Sequence, residues 1–170
     1  MDMLNRYIKE FKDRDYTHFD DFYEETNKKV FFTIKSIVKD PMITEDLMQD
    51  AYMQFLKKID YVNLKDNPVA YLVTIGRNLA LNHYTKFKKE VQNEAVFDTI
   101  ASDEVVKDET DIFGLLERLD HEEREVVVLH TINGFKFREV ADVMNKPLGT
   151  ILWIHKKALE KLKKALGDTI

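Results

Sequence analysis

The chain has no cysteine, and its 170 residues include only 5 glycines and 3 prolines. Without cysteine there can be no disulfide framework, no thiolate metal site and no cysteine nucleophile, which suits a reducing compartment. So few glycines and prolines weigh against a turn-rich all-β fold and favour helices. No apolar run approaches the roughly 20 residues that a membrane-spanning helix needs. The segment Met1 to Asp15 is charged throughout and has no apolar core of a signal peptide, so the expected location is cytoplasmic. Catalytic signatures are missing too. The histidines His18, His83, His121, His130 and His155 form no HExxH pair and no nucleophile–base pairing, and no glycine-rich phosphate loop follows a strand. No catalytic residue, no metal site and no cofactor is therefore expected, and the chain is read as not an enzyme. A basic excess, the easiest pointer to nucleic acid, is also absent, since the formal net charge is −5.

What the sequence does have is a charge distribution. Residues 86–89 read Lys-Phe-Lys-Lys, and Lys156, Lys157, Lys161, Lys163 and Lys164 form a second basic tract near the end. Between them lies an acidic stretch with Glu94, Asp98, Asp103, Glu104, Asp108, Glu109 and Asp111. The chain thus reads as two charge-mixed segments, 1–90 and 112–170, joined by an acidic flexible linker over 91–111.

Helical periodicity dominates both segments. Tyr16 to Val38 carries an apolar face from Phe19 to Val38, and Lys39-Asp40-Pro41 interrupts it because proline cannot continue a helix. Thr44, followed by Glu45 and Asp46, reads as the cap of the next helix, which runs to about Ile59. Tyr61 to Asn67 is a polar connector. Asn67-Pro68 opens a further helix that ends in the first basic tract. In the second segment, short helices are expected over 112–119, 122–132 and 136–144, with Asp120 as a cap and Asn133-Gly134 as a turn. A longer helix is opened or capped by Thr150 and runs to about Leu166, with Ile151, Ile154, Ala158, Leu162 and Ala165 as its buried stripe. The fold class is all-α, with two small helical domains.

A short helix, a turn and a longer helix make the helix-turn-helix arrangement, whose second helix enters the major groove. The outer face of that helix must then reach phosphates and base edges, and its free N–H groups favour a phosphate. Gly149 and Thr150 would present those groups, and Lys156 and Lys157 would reach the backbone. A plain helical bundle with a solvated lysine face accounts for the same pattern.

The stretch Leu116-Glu117-Arg118-Leu119-Asp120-His121-Glu122-Glu123-Arg124-Glu125-Val126-Val127 resembles the start of region 4 of extracytoplasmic-function (ECF) sigma factors, in the sigma-70 family. So do Asn133-Gly134-Phe135-Lys136-Phe137-Arg138-Glu139-Val140-Ala141 and Pro147-Leu148-Gly149-Thr150-Ile151. Thr44-Glu45-Asp46-Leu47-Met48-Gln49-Asp50-Ala51 resembles region 2.2. Ala70-Tyr71-Leu72-Val73-Thr74-Ile75-Gly76-Arg77-Asn78-Leu79-Ala80 resembles the helix of regions 2.3 and 2.4. The resemblance implies an RNA polymerase sigma factor that binds the core enzyme, through its β′ and β subunits, and promoter DNA. It places Asp46, Gln49 and Asp50 against the β′ subunit. Contact with the −10 element falls to Asn63, Lys65 and Asn67 in the connector. It falls also to Arg77, Asn78, Asn82, His83, Lys86, Lys88 and Lys89 on the helix that follows, with amides reading base edges and cations holding phosphates. Asn78 has a second reading as a brace or cap of its helix, and Phe87 either stacks on a base or packs. Contact with the −35 element falls to Lys136, Arg138, Gly149, Thr150, Leu152, Trp153, Lys156 and Lys157. An anti-sigma protein is a further partner that the resemblance suggests.

One departure stands out. After Gly149-Thr150-Ile151 the family carries polar or basic residues, whereas this chain has Leu152, Trp153 and Ile154. Leu152 and Trp153 either touch thymine methyl groups or bind a protein. Two other readings therefore stay open: a sigma-like regulator with altered or lost −35 recognition, and a free-standing helix-turn-helix regulator.

Overall fold

The computed structural model describes residues 2–93 and 112–167, and every regular element among them is helical. The expected linker, from residue 94 to its end at 111, lies outside the described residues.

The chain begins with a helix that the periodicity reading passed over. α1 spans Asp2–Lys12 and buries Tyr7, Ile8 and Phe11. Leu4, Tyr7, Ile8 and Phe11 recur at helical spacing, so the signal was there among the charges. Lys12 Nζ donates to the Val62 carbonyl at 2.6 Å, and Arg14 pairs with Asp60 at 2.7 Å, tying α1 to the connector.

α2 spans Phe19–Val38 and stops where Lys39 adopts a left-handed conformation, its N–H returning to the Lys35 carbonyl. α3 spans Pro41–Lys57. Its cap is Asp40, whose carboxylate accepts from the Met42 and Ile43 amides at 2.8 and 3.1 Å. Thr44 is inside the helix, its hydroxyl donating to the Asp40 carbonyl at 2.7 Å, so the expected cap at Thr44 is corrected. The motif Asp40-Pro41 is both the stop of one helix and the start of the next. After a 3₁₀ turn at Ile59–Tyr61, α4 spans Pro68–Asn93. Asn67 caps it as expected, its side-chain oxygen accepting from Val69 and Ala70. α4 continues past the boundary expected at 90. Gly76 lets it approach α2, since a Cβ there would stand 3.2 Å from Ile34 Cδ1.

The second segment holds α5 (Ile112–Leu116), α6 (His121–Val127), α7 (Phe137–Met144) and α8 (Leu148–Gly167). Asp120 caps α6 in a reciprocal box with Glu123. The helix expected over 122–132 is α6 followed by a wider π turn at Val128–Ile132. Gly134, at φ 75°, then reverses the chain, a conformation that costs other residues about 1–2 kcal/mol. α8 starts at Leu148, so Thr150 lies in its first turn and neither caps nor opens it.

The two segments share one apolar core. Phe22, Ile34, Phe55, Leu72 and Val73 of the first pack in the same cluster as Val126, Leu129, Phe135, Val140 and Ile151 of the second. Polar bonds cross the same seam. Asn133 donates to the Lys29 carbonyl at 3.1 Å and to Thr33 Oγ1 at 3.0 Å, and Arg124 reaches the Ser36 carbonyl at 3.4 Å. A smaller cluster of Leu116, Leu119, Val127, Val128 and Ala158 braces the far end of the second segment.

Candidate polymerase and nucleic-acid interfaces

On α3 the inward positions are apolar: Met48, Ala51, Tyr52 and Phe55 are buried. Asp46, Gln49 and Asp50 are thereby turned outward, and all three are exposed. None of their side chains makes a hydrogen bond or ion pair among the described residues, so their acceptors are open to a partner. Beside them lies a groove of about 520 Å³ between α2 and α3, walled by Phe19, Tyr23, Glu45, Met48, Gln49 and Met53. Sequence reasoning missed Tyr23, Glu45 and Met53, because an exposed residue on an amphipathic helix carries no periodic signal. Tyr52, at the groove's floor, bonds to Thr26 through its hydroxyl at 2.7 Å, and burial pushes its ionisation well upward.

The connector and the outer face of α4 form a second surface. Asn63 accepts from the Lys65 amide at 3.0 Å, a local turn that leaves Lys65 exposed. Tyr61, 85% exposed at the head of the same connector, was not singled out in the sequence and is a free aromatic platform. Along α4, Asn78, Asn82, Lys86 and Lys89 recur every three or four residues and are exposed on one face; Lys88 is exposed too, and His83 is half-buried. Asn78 lies far from either end of the helix, so it does not cap it. Phe87 is exposed rather than packed.

Two predicted members are drawn elsewhere. Arg77 is not on this face. Its Nε donates to the buried Glu125 carboxylate and one terminal nitrogen reaches the Val143 carbonyl at 3.4 Å, so it holds no phosphate in this arrangement. Burial works to raise the Glu125 carboxyl, but hydrogen bonds from His121 and Arg77 outweigh it and keep the carboxyl below its ordinary range. Asn67 spends its oxygen on the α4 cap and donates its amide to Glu139 Oε1 at 3.0 Å. The other Glu139 oxygen accepts from the Lys136 amide at the start of α7.

The third surface is α7, its turn and α8. Asn145 ends α7 in a left-handed conformation, the usual role of asparagine there. Ile151, Ile154, Ala158 and Ala165 are buried. Gly149, Thr150, Leu152, Trp153 and Lys156 consequently face outward, and Lys136 and Arg138 are exposed at the start of α7. Ile151 N–H donates to the Pro147 carbonyl at 3.2 Å, and the amides before it at the start of α8 have no partner within the helix. Lys157 is less available. Its ammonium lies 3.4 Å from Glu123 and 5.1 Å from the centre of the Trp153 ring. Lys161 is likewise structural, bonding to Glu123 at 2.8 Å. His155 is half-buried with His130 and Phe137, each ring centre 5.0 Å away, and desolvation followed by the nearby His130 lowers its pKa. Among the described residues no acid–histidine group could hold a metal. No described helix is long and apolar enough to cross a membrane.

A sigma-70 region 2 family model matches residues 22–90, and a sigma-70 region 4 model matches residues 115–164. The chain is similar to the ECF RNA polymerase sigma factor SigK of Mycolicibacterium vanbaalenii, 25% identical over 96% of this chain and 89% of that protein. It is similar also to the ECF sigma factor SigW of Bacillus subtilis, 22% identical over 98% of each. Among solved structures, sigma factor RpoE of Bartonella quintana, crystallised with the anti-sigma factor NepR, superposes with a TM-score of 0.74 at 25% identity. The match covers 88% of this chain and 96% of that one. Two regions of one family, in family order along a chain whose relatives are ECF sigma factors, identify it as an ECF RNA polymerase sigma factor of the sigma-70 family.

Proposed function

We propose that this sigma factor docks on core RNA polymerase through the outer face of α3, engages the −10 element with the Asn63–Asn67 connector and the outer face of α4, and reaches the −35 element with α8. The observation that carries this is the exposed, unpaired trio Asp46, Gln49 and Asp50, whose acceptors suit a basic partner surface through charge-assisted hydrogen bonds. The domain division is 1–90 for region 2, 91–111 for the linker and 112–170 for region 4. The protein is a non-enzymatic subunit working beside RNA polymerase in the cytoplasm. An anti-sigma protein belongs among its partners, by likeness to the RpoE complex with NepR.

Reconstitution tests the reading. The chain added to core enzyme is expected to give promoter-dependent transcripts, and Gln49→Ala with Asp50→Ala to weaken core binding about tenfold without altering the thermal melt. No binding to core enzyme under conditions where SigW binds would overturn it.

Exposed Leu152 and Trp153 favour a second reading, in which −35 recognition is altered or lost. Core binding with transcription indifferent to the upstream sequence would support it. Tight, specific binding of a promoter by the chain alone would instead point to a free-standing helix-turn-helix regulator.

A further inference from the structure

We propose that Leu152 and Trp153 read thymine methyl groups in the upstream promoter element. The inference rests on α8 being the DNA-facing helix.

The buried stripe through Ile151 and Ile154 fixes the orientation of the helix, and it throws the two residues between outward. Leu152 is 45% exposed and Trp153 is 62% exposed, a large apolar pair on a helix whose other exposed positions are lysine, glutamate, threonine and glycine, with Leu166 at its far end. Neither is needed to fill the core. The surroundings favour a polyanion over an apolar protein patch. One turn of helix either side of the pair holds Leu148, Gly149, Thr150, His155, Lys156 and Lys157, with no acid among them, Lys157 being paired with Glu123. The open amides of the first turn add partial positive charge on the same side. Asp142 on α7 and Glu160 further along α8 are the nearest exposed acids in the sequence.

A DNA groove facing this pair meets groups that can neither accept nor, for leucine, donate a hydrogen bond. The one apolar group on the major-groove edges of the four bases is the thymine C5 methyl. Discrimination by Leu152 must therefore come from burying that methyl, and Trp153, whose single polar group is one indole N–H, presents the rest of its ring to the same methyl. Trp153 is prepared for it: the Lys157 ammonium lies over its ring and is itself held by Glu123, so less side-chain freedom is lost on contact.

The test uses holoenzyme reconstituted from this chain and core polymerase. Promoters are selected from a library randomised upstream, and each selected thymine is then replaced by deoxyuridine, which removes only the methyl. The expected result is about a three- to tenfold loss of binding at one or two positions, the loss of one buried methyl each. That loss should vanish in a Leu152→Ala, Trp153→Ala holoenzyme whose melt is unchanged. Deoxyuridine without effect on the wild type, or an effect that persists in the variant, overturns the proposal while leaving α8 on DNA. Scrambling the whole upstream element without consequence removes the underlying reading as well. Loss of core binding by the variant in the absence of DNA would mark the pair as a protein contact and also overturn it.

Discussion

At the scale of single residues, the side chains hardest to read from sequence are those with two suitable jobs. Arg77 follows a hydrophobic face on a helix rich in amides, and a phosphate was a sound expectation. Its actual partner, Glu125, is 48 residues away, and no local pattern encodes that distance. Side-chain exposures of 13% for Arg77 and 6% for Glu125 make this a buried pair. Arg77→Met should leave the carboxylate with His121 alone and cost about 3 kcal/mol in urea unfolding. Because the Glu125 carboxyl is held below its ordinary value, its stabilising contribution is complete above pH 4.5 and is lost as pH falls through the lower folded value. His155 acts in the same direction, from a group that is neutral when folded. Its pKa is lowered by burial, so the unfolded chain takes up a proton first and stability declines once pH drops below 6.5. Wild-type protein is expected to melt lower at pH 5.5 than at pH 7.5. In His155→Leu that difference should shrink, as followed by circular dichroism.

Among elements, those with strong apolar period and a capping residue were legible: α2, α4 with Asn67-Pro68, α6 with Asp120, and the stripe of α8. The errors cluster at starts. Asp40-Pro41 was read as a break only, although a side-chain acceptor before proline is also a helix opening, and the acids after Thr44 made a competing cap. α1 was hidden by its charges, which occupy the outer face of an amphipathic turn and say nothing against helix. Phe11 at its end is fully buried against Phe22, Tyr16 and Phe19. Phe11→Ala is expected to cost about 3–5 kcal/mol, measurable in denaturant, even though the residue lies outside both matched family regions. Asp40→Ala should cost about 1 kcal/mol through the lost cap of α3.

For the whole molecule, the acidic tract announced two segments and the family motifs gave their order. Their packing was not announced. Val126, Leu129 and Phe135 have the spacing of a local core, and only the tertiary structure shows that they also cover α2 and α4. A chain without cysteine is convenient here, since two can be introduced and labelled alone. Dyes on the exposed faces of α3 and α8 should give high energy transfer in the free protein. The transfer should fall when core polymerase and promoter DNA are added, and Arg77→Met should lower its starting level.

The bond between Asn67 and Glu139 has a consequence for how much promoter is occupied. The Asn67 oxygen is taken by the α4 cap and one of its two amide hydrogens by Glu139, so both donors can be offered to a nucleotide only when the bond to Glu139 opens. Where promoter DNA takes both donors, the clasp must be released, and the measured dissociation constant is the intrinsic one divided by the fraction of molecules with the clasp open. Transcriptional output then responds to that fraction, and a partner or solute that shifts it sets the rate of initiation from the Glu139 side of the bond.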